Sequence, residues 1–151
     1  MQSLILPIVD YCDVLYDSFS LTNSTRLQRV FNNCLRFIFN CNRRQHVTPM
    51  LKQLSWLRLA DRRSLHSLVL LHKLIYNTTT TPVYLTNKVS LLNSLRNGPV
   101  VQIPRHRTGY YGRTFFVRVA ERWNQLPKEI RTTTSVKSFT SLLRQHYLQQ
   151  Y

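Results

Sequence analysis

Apolar positions recur along this chain mostly with the period of an α-helix. Between Ser24 and Asn40, Leu27, Val30, Phe31, Cys34, Leu35 and Ile38 fall at i, i+3, i+4, i+7, i+8 and i+11, while Arg29, Asn32 and Arg36 point away. The spacing predicts an amphipathic helix with a basic back. Thr48 before Pro49 reads as an N-cap followed by proline at the first helical position, opening a short helix through Met50, Leu51 and Leu54. From a cap at Ala60 or Asp61 to Asn77, Leu65, Leu68, Val69, His72, Ile75 and Tyr76 form one apolar face, and Leu70 and Leu74 extend it. A helix apolar nearly all round is a central, buried one, and only the narrow strip of Arg62, His66 and Lys73 stays polar. Phe116, Val119, Ala120 and Trp123 mark a further helix, Pro127 forces a new start, and Ser135 caps a last helix carrying Val136, Phe139, Leu143 and Tyr147.

The breakers divide the chain. Its three glycines are Gly98, Gly109 and Gly112, a scarcity that disfavours a sheet built from tight hairpins. The NTTTTP run at 77–82 ends the central helix, and a weakly patterned stretch follows to Asn97. Four parts result: an acidic lead helix over 1–20, a basic helical region over 21–97, an Arg/Tyr-rich loop over 98–113 and a C-terminal helical pair over 114–151. The expected class is mainly α, an irregular helical bundle with one Gly/Pro-rich loop and a short strand near 100–103.

Charge makes the surface specific. Twenty-one Lys and Arg oppose six Asp and Glu, a net charge of +15. Asp10, Asp13 and Asp17 give the first seventeen residues −3, so the body carries +18. Arg outnumbers Lys sixteen to five, and the planar guanidinium both grips phosphate in a bidentate fashion and stacks on bases. RNA or DNA is the partner this balance points to. A membrane is not, because the arginines are scattered rather than gathered on one amphipathic helix, and no apolar run approaches the ~20 residues of a span. Cys12, Cys34 and Cys41 are too few and too far apart for a disulfide framework, and the N-terminus lacks a basic leader, so the expected setting is intracellular, cytoplasmic or nuclear.

Catalytic patterns fail one by one. Asp10, Asp13 and Asp17 stand at i, i+3 and i+7, an acidic stripe that would dock on a basic surface of this or a neighbouring chain rather than share metal ions. Cys41 and His46 resemble half a zinc knuckle, but Ile38 stands where a further ligand is needed. His72 sits amid an apolar face as a hydrogen-bonded core residue, and no nucleophile motif or phosphate loop is present. Neither a metal nor a cofactor is expected. The basic clusters carry more: Arg43 and Arg44 with His46, Arg62 and Arg63 with Arg58, Arg105, His106 and Arg107 beside Tyr110, Tyr111 and Arg113, and Arg118 with Arg122 on one helix face. Cations interleaved with aromatics combine phosphate contacts with stacking platforms.

The segments SLILPIVDYCDVLYDSFS, RLQRVFNNCLRFIF, HVTPMLKQLSWLRLADRRSLHSLVLLHKLIYN, IPRHRTGYYGRTFFVRVAERWNQLPKEIR and SVKSFTSLLRQHYL, in this order, resemble the region downstream of the palm in reverse transcriptases of jockey-like non-LTR retrotransposons. The likeness runs from Ser3 to about Tyr147. It implies the thumb and C-terminal helical part of an endonuclease and RNA-directed DNA polymerase, with the rest of that enzyme as a further partner. The palm's paired aspartates and the endonuclease have no counterpart here, so the chain itself is expected to bind and not to catalyse. On this resemblance Arg29, Arg36, Arg62, His66 and Lys73 would contact phosphates without base specificity. The alternative is a small retroelement-derived module whose apolar helix faces and acidic stripe dock a protein.

Overall fold

The computed structural model describes residues 2–16, 20–76, 81–94 and 98–150. The protein is mainly α. Its helices are α1 (Gln2–Asp10), α2 (Asp13–Tyr16), α3 (Leu21–Ile38), α4 (Thr48–Leu54), α5 (Leu59–Tyr76), α6 (Val83–Thr86), α7 (Gly109–Gly112), α8 (Phe115–Gln125), α9 (Lys128–Arg131) and α10 (Val136–Leu148). Strands β1 (Leu91–Ser94) and β2 (Gly98–Val101) pair antiparallel between α6 and α7, with Leu91 opposite Val101 and Ser94 opposite Gly98.

Local chemistry explains where the elements begin and end. Helix α3 starts three residues before the predicted position because Ser20 Oγ accepts the Asn23 N–H, a side-chain cap that the apolar spacing does not reveal. Thr48 is inside α4 and not its cap: Val47 holds that position without a side-chain hydrogen bond, and Pro49 takes a first-turn slot where its missing N–H costs nothing. Ser55 then closes α4 in the left-handed region at φ 52°. The acidic lead is two helices rather than one. The chain turns at Tyr11 and Cys12, with Cys12 at φ 52°, so Asp10 closes α1 and Asp13 opens α2. Asp17 and most of the NTTTTP run, 77–80, lie outside the described residues.

Two apolar clusters meet along α5. Leu59 joins Leu6, Phe31, Leu35, Met50, Leu51 and Trp56 from α1, α3, α4 and the turn after it. Leu65, Leu68 and Leu71 join Val101, Val119, Ala120, Trp123, Phe139 and Leu143 from β2, α8 and α10. The second cluster is aromatic at its centre, where the Trp123 and Phe139 rings lie 5.6 Å apart and both side chains are fully buried.

The hairpin is the main departure from expectation. The sequence predicts a short strand near 100–103; β2 occupies Gly98–Val101, and its partner β1 lies in the weakly patterned stretch before it. Side chains of α8 hold it. Asn124 Oδ1 accepts from Val101 N–H at 3.0 Å, its Nδ2 donates to Val101 O at 2.9 Å, and Trp123 Nε1 donates to Pro99 O at 3.1 Å. An isolated two-stranded ribbon is marginal in water, so these bonds substitute for the neighbouring strands it lacks.

Truncating Phe139 to Ala removes the ring that His72 and Trp123 pack against, and should lower unfolding stability by about 3–5 kcal/mol in urea titrations, whereas Leu142→Ala on the outer face of α10 should cost under about 1 kcal/mol.

Candidate nucleic-acid interface

The polar strip on α5 has internal partners. Arg62 donates through Nε and Nη2 to both carboxylate oxygens of Asp10, a bidentate pair, and His66 Nδ1 lies 2.5 Å from Asp13 Oδ2. Two of the three stripe aspartates thus dock on this chain's own helix. Asp10, Asp13 and His66 place ligand atoms within 4.8 Å of one another, a spacing that would suit a cation, but the Arg62 guanidinium covers both Asp10 oxygens and already supplies positive charge. Arg63 is buried, and its Nη2 has no hydrogen-bond partner. Arg62 and His66 thus face carboxylates of their own chain, and Arg63 faces the interior. Lys73 alone of that strip is exposed and turned to solvent.

Helix α3 presents Arg29 to solvent, and Arg26 one turn earlier does the same. Arg26 was absent from the predicted set, although its spacing of three from Arg29 on one helix places it on the neighbouring surface. Arg36 is half-buried. It donates to Gln45 O from Nε at 3.4 Å and from Nη2 at 3.3 Å, and to Asn33 Oδ1 from Nη1 at 3.4 Å. These bonds tie the segment after α3 back onto the helix, which fixes the stem from which Arg43 and Arg44 extend into solvent. Arg36 positions the cluster more than it offers charge.

Residues 103–113 form the densest exposed group. Thr108 Oγ1 accepts the Tyr111 N–H at 3.3 Å and caps α7, and Thr114 Oγ1 donates to Tyr111 O at 2.7 Å. His106 donates from Nδ1 to Pro104 O at 3.2 Å, and its ring lies over Gly112, where a Cβ would meet Nε2 at 2.9 Å. A side chain there would push the exposed His106 ring aside. With the backbone held this way, Arg105, Arg107 and Arg113 are exposed, as are Tyr110 at 87% and Tyr111 at 47%. Ile103, Pro104, Arg105, His106 and Arg107 surround a shallow hollow of about 630 Å³. Arg113 also reaches the edge of an apolar cleft of about 440 Å³ between α2, α5, α6 and α8, whose wall includes Arg118. Arg118 and Arg122 are half-buried on α8 and each has a partner within the fold.

His72 is fully buried. Its Nε2 donates to Thr133 O at 2.7 Å, and its ring stacks on Phe139 at 4.3 Å and tilts against Tyr76 at 4.8 Å. Nδ1 is enclosed without a partner. Burial pulls the His72 pKa below its ordinary 6.5, against the smaller upward pull of the Thr133 bond, so the neutral Nε2–H form is the folded one. Burial likewise raises the Tyr76 phenol, whose hydroxyl donates to Arg131 O at 2.9 Å. A histidine sealed under Phe139 and bonded to a backbone carbonyl is a packing residue.

No family model matches the chain, and neither a curated protein nor a solved structure matches it. Among the described residues, no helix is long and apolar enough to cross a membrane.

Because His72 binds its proton more weakly folded than unfolded, its contribution to stability is complete above pH 6.5 and is lost as pH falls through 6.5 toward the lowered folded value. Urea titrations at pH 7.5 and pH 5 should show that loss in the native protein, and His72→Gln, less stable at both, should show a smaller difference between them.

Proposed function

We propose that this chain binds nucleic acid through its phosphate backbone and is a non-catalytic piece of a non-LTR retrotransposon reverse transcriptase, holding RNA/DNA template–primer in the manner of a thumb. The observation that carries the reading is the held loop at 103–113, which sets Arg105, Arg107 and Arg113 beside the exposed rings of Tyr110 and Tyr111. Arg29, Arg43 and Arg44 add a second cationic group, and the net charge of +15 makes a polyanion the partner that relieves self-repulsion. Guanidinium groups free to meet phosphates give affinity, and tyrosine rings give unpaired or terminal bases a surface to stack on. Nothing in the set selects a base edge, so binding should be insensitive to sequence.

Asp10 and Asp13 are unsuited to act as polymerase carboxylates, since one is held by Arg62 and the other is buried against His66. The reading therefore assigns the chain a grip and no chemical step. The sequence likeness to the region beyond the palm supports the parentage, and the mainly α fold agrees with that expectation.

Filter binding with a short RNA/DNA hybrid tests the proposal. The logarithm of the affinity should fall linearly with the logarithm of salt, by about 0.7–0.9 per phosphate neutralised, and Arg105→Glu with Arg107→Glu and Arg113→Glu should flatten that slope by about 2 while weakening binding at least tenfold. A salt-independent affinity would refute it.

A further inference from the structure

The groove between α1 and α3 plays no part in the contacts described so far. Leu4 and Ile5 of α1 and Val30, Asn33, Cys34 and Phe37 of α3 line it, enclosing about 460 Å³. Its apolar residues are turned outward: Leu4 is 67% exposed, Val30 57% and Phe37 72%, and Ile8 at 79% extends the strip along α1. Both helices already bury their inner faces, through Leu6 on α1 and Phe31 and Leu35 on α3. The outer faces are thus a second apolar surface that core formation does not use, and contiguous patches of this kind mark interaction sites.

The surroundings say what would cover it. Arg26 precedes Val30 by four residues and so shares its face of α3, and Arg29 flanks it; both are exposed. On α1 the one charged side chain is Asp10, which is committed to Arg62. The rim is therefore positive. A second copy of this chain would bring its own Arg26 and Arg29 and its share of +15 to the contact, which charge repulsion opposes. The site is also a concave trough between two helices, a shape that accepts a rod, whereas a lipid surface is met by a convex apolar face.

We propose that the α1/α3 groove docks an amphipathic α-helix of a partner protein, its apolar residues at i, i+3 or i+4 and i+7 seated against Val30 and Phe37, and its Glu or Asp flank facing Arg26 and Arg29. The docking shares Arg29 with the nucleic-acid reading but does not need the 103–113 loop that carries that reading, and its apolar contacts through Val30 and Phe37 belong to it alone.

Fluorescence anisotropy with a labelled helical peptide of about fifteen residues, carrying Leu at those positions and Glu on its flanks, tests this. The full chain should bind it with a Kd of about 1–100 µM. Val30→Ser with Phe37→Ser should weaken binding at least tenfold while leaving the helical circular dichroism and the affinity for an RNA/DNA hybrid unchanged, since both side chains lie on the surface and the changes add no charge beside Arg29. The same peptide with Lys in place of Glu should bind at least tenfold more weakly. Any of four results overturns the proposal: no binding of the acidic peptide at 200 µM, equal binding by the double variant, equal binding of the Lys peptide, or a patch occupied otherwise. The last would read as a sedimenting dimer, or as binding to phosphatidylcholine vesicles, that the double variant abolishes.

Discussion

The packing of α5 between two apolar clusters is the constraint from which the rest follows. Its eighteen residues hold Leu59 in one apolar cluster and Leu65, Leu68 and Leu71 in the other, so neither cluster is complete without it. Of its polar side chains Lys73 reaches solvent, while Arg62 and His66 are matched from within the chain. The N-terminal aspartates do this matching. Asp10 and Asp13 close over Arg62 and His66, and the turn at Cys12 lets consecutive short helices deliver both carboxylates to α5 at a spacing that one straight helix need not provide. The −3 of the lead segment is thus partly spent neutralising the helix that the fold is built around.

That use of the acids decides where positive charge can act. A chain with so many arginines has more cations than its few carboxylates can pair, and the structure separates them by depth. Arg62 and Arg63 lie inward, Arg36 is turned to a backbone carbonyl, and Arg131 is buried with Nη1 donating to Pro99 O at 3.3 Å. Arg26, Arg29, Arg43 and Arg44 near α3 and Arg105, Arg107 and Arg113 in the loop are among the described arginines turned outward, where an external polyanion can reach them. The loop gains its order from small local devices, the Thr108 cap and the His106 ring against Gly112, rather than from a large core. Those devices order the backbone from which its arginines extend.

Much of the architecture was legible in the sequence because helical periodicity is a repeated signal. The apolar positions of α3, α5, α8 and α10, the restart after Pro127 and the central place of α5 could all be read from spacing. The hairpin could not, since Leu91–Ser94 becomes a strand by pairing with Gly98–Val101, and that second strand is itself held by Asn124 and Trp123, more than twenty positions away. The candidate site was legible by composition, whereas the depth of each basic residue was not. A basic strip such as Arg62, Arg63 and His66 looks identical in sequence whether it meets phosphate or a carboxylate of its own chain, because the partner is set by tertiary contact across some fifty residues. The acidic stripe was the signal that could have warned of it: an i, i+3 pair of aspartates needs a basic counterpart, and α5 offers one.

The central claim is that nucleic acid meets the outward arginines and not those of α5. Arginine Nε–Hε correlations in a nitrogen-15 NMR spectrum, followed while a short RNA/DNA hybrid is added, separate the two groups directly. The account predicts that the signals of Arg105, Arg107 and Arg113 shift or broaden first while that of Arg62, held on Asp10, stays in place. Early movement of Arg62 with the loop signals unchanged would contradict it.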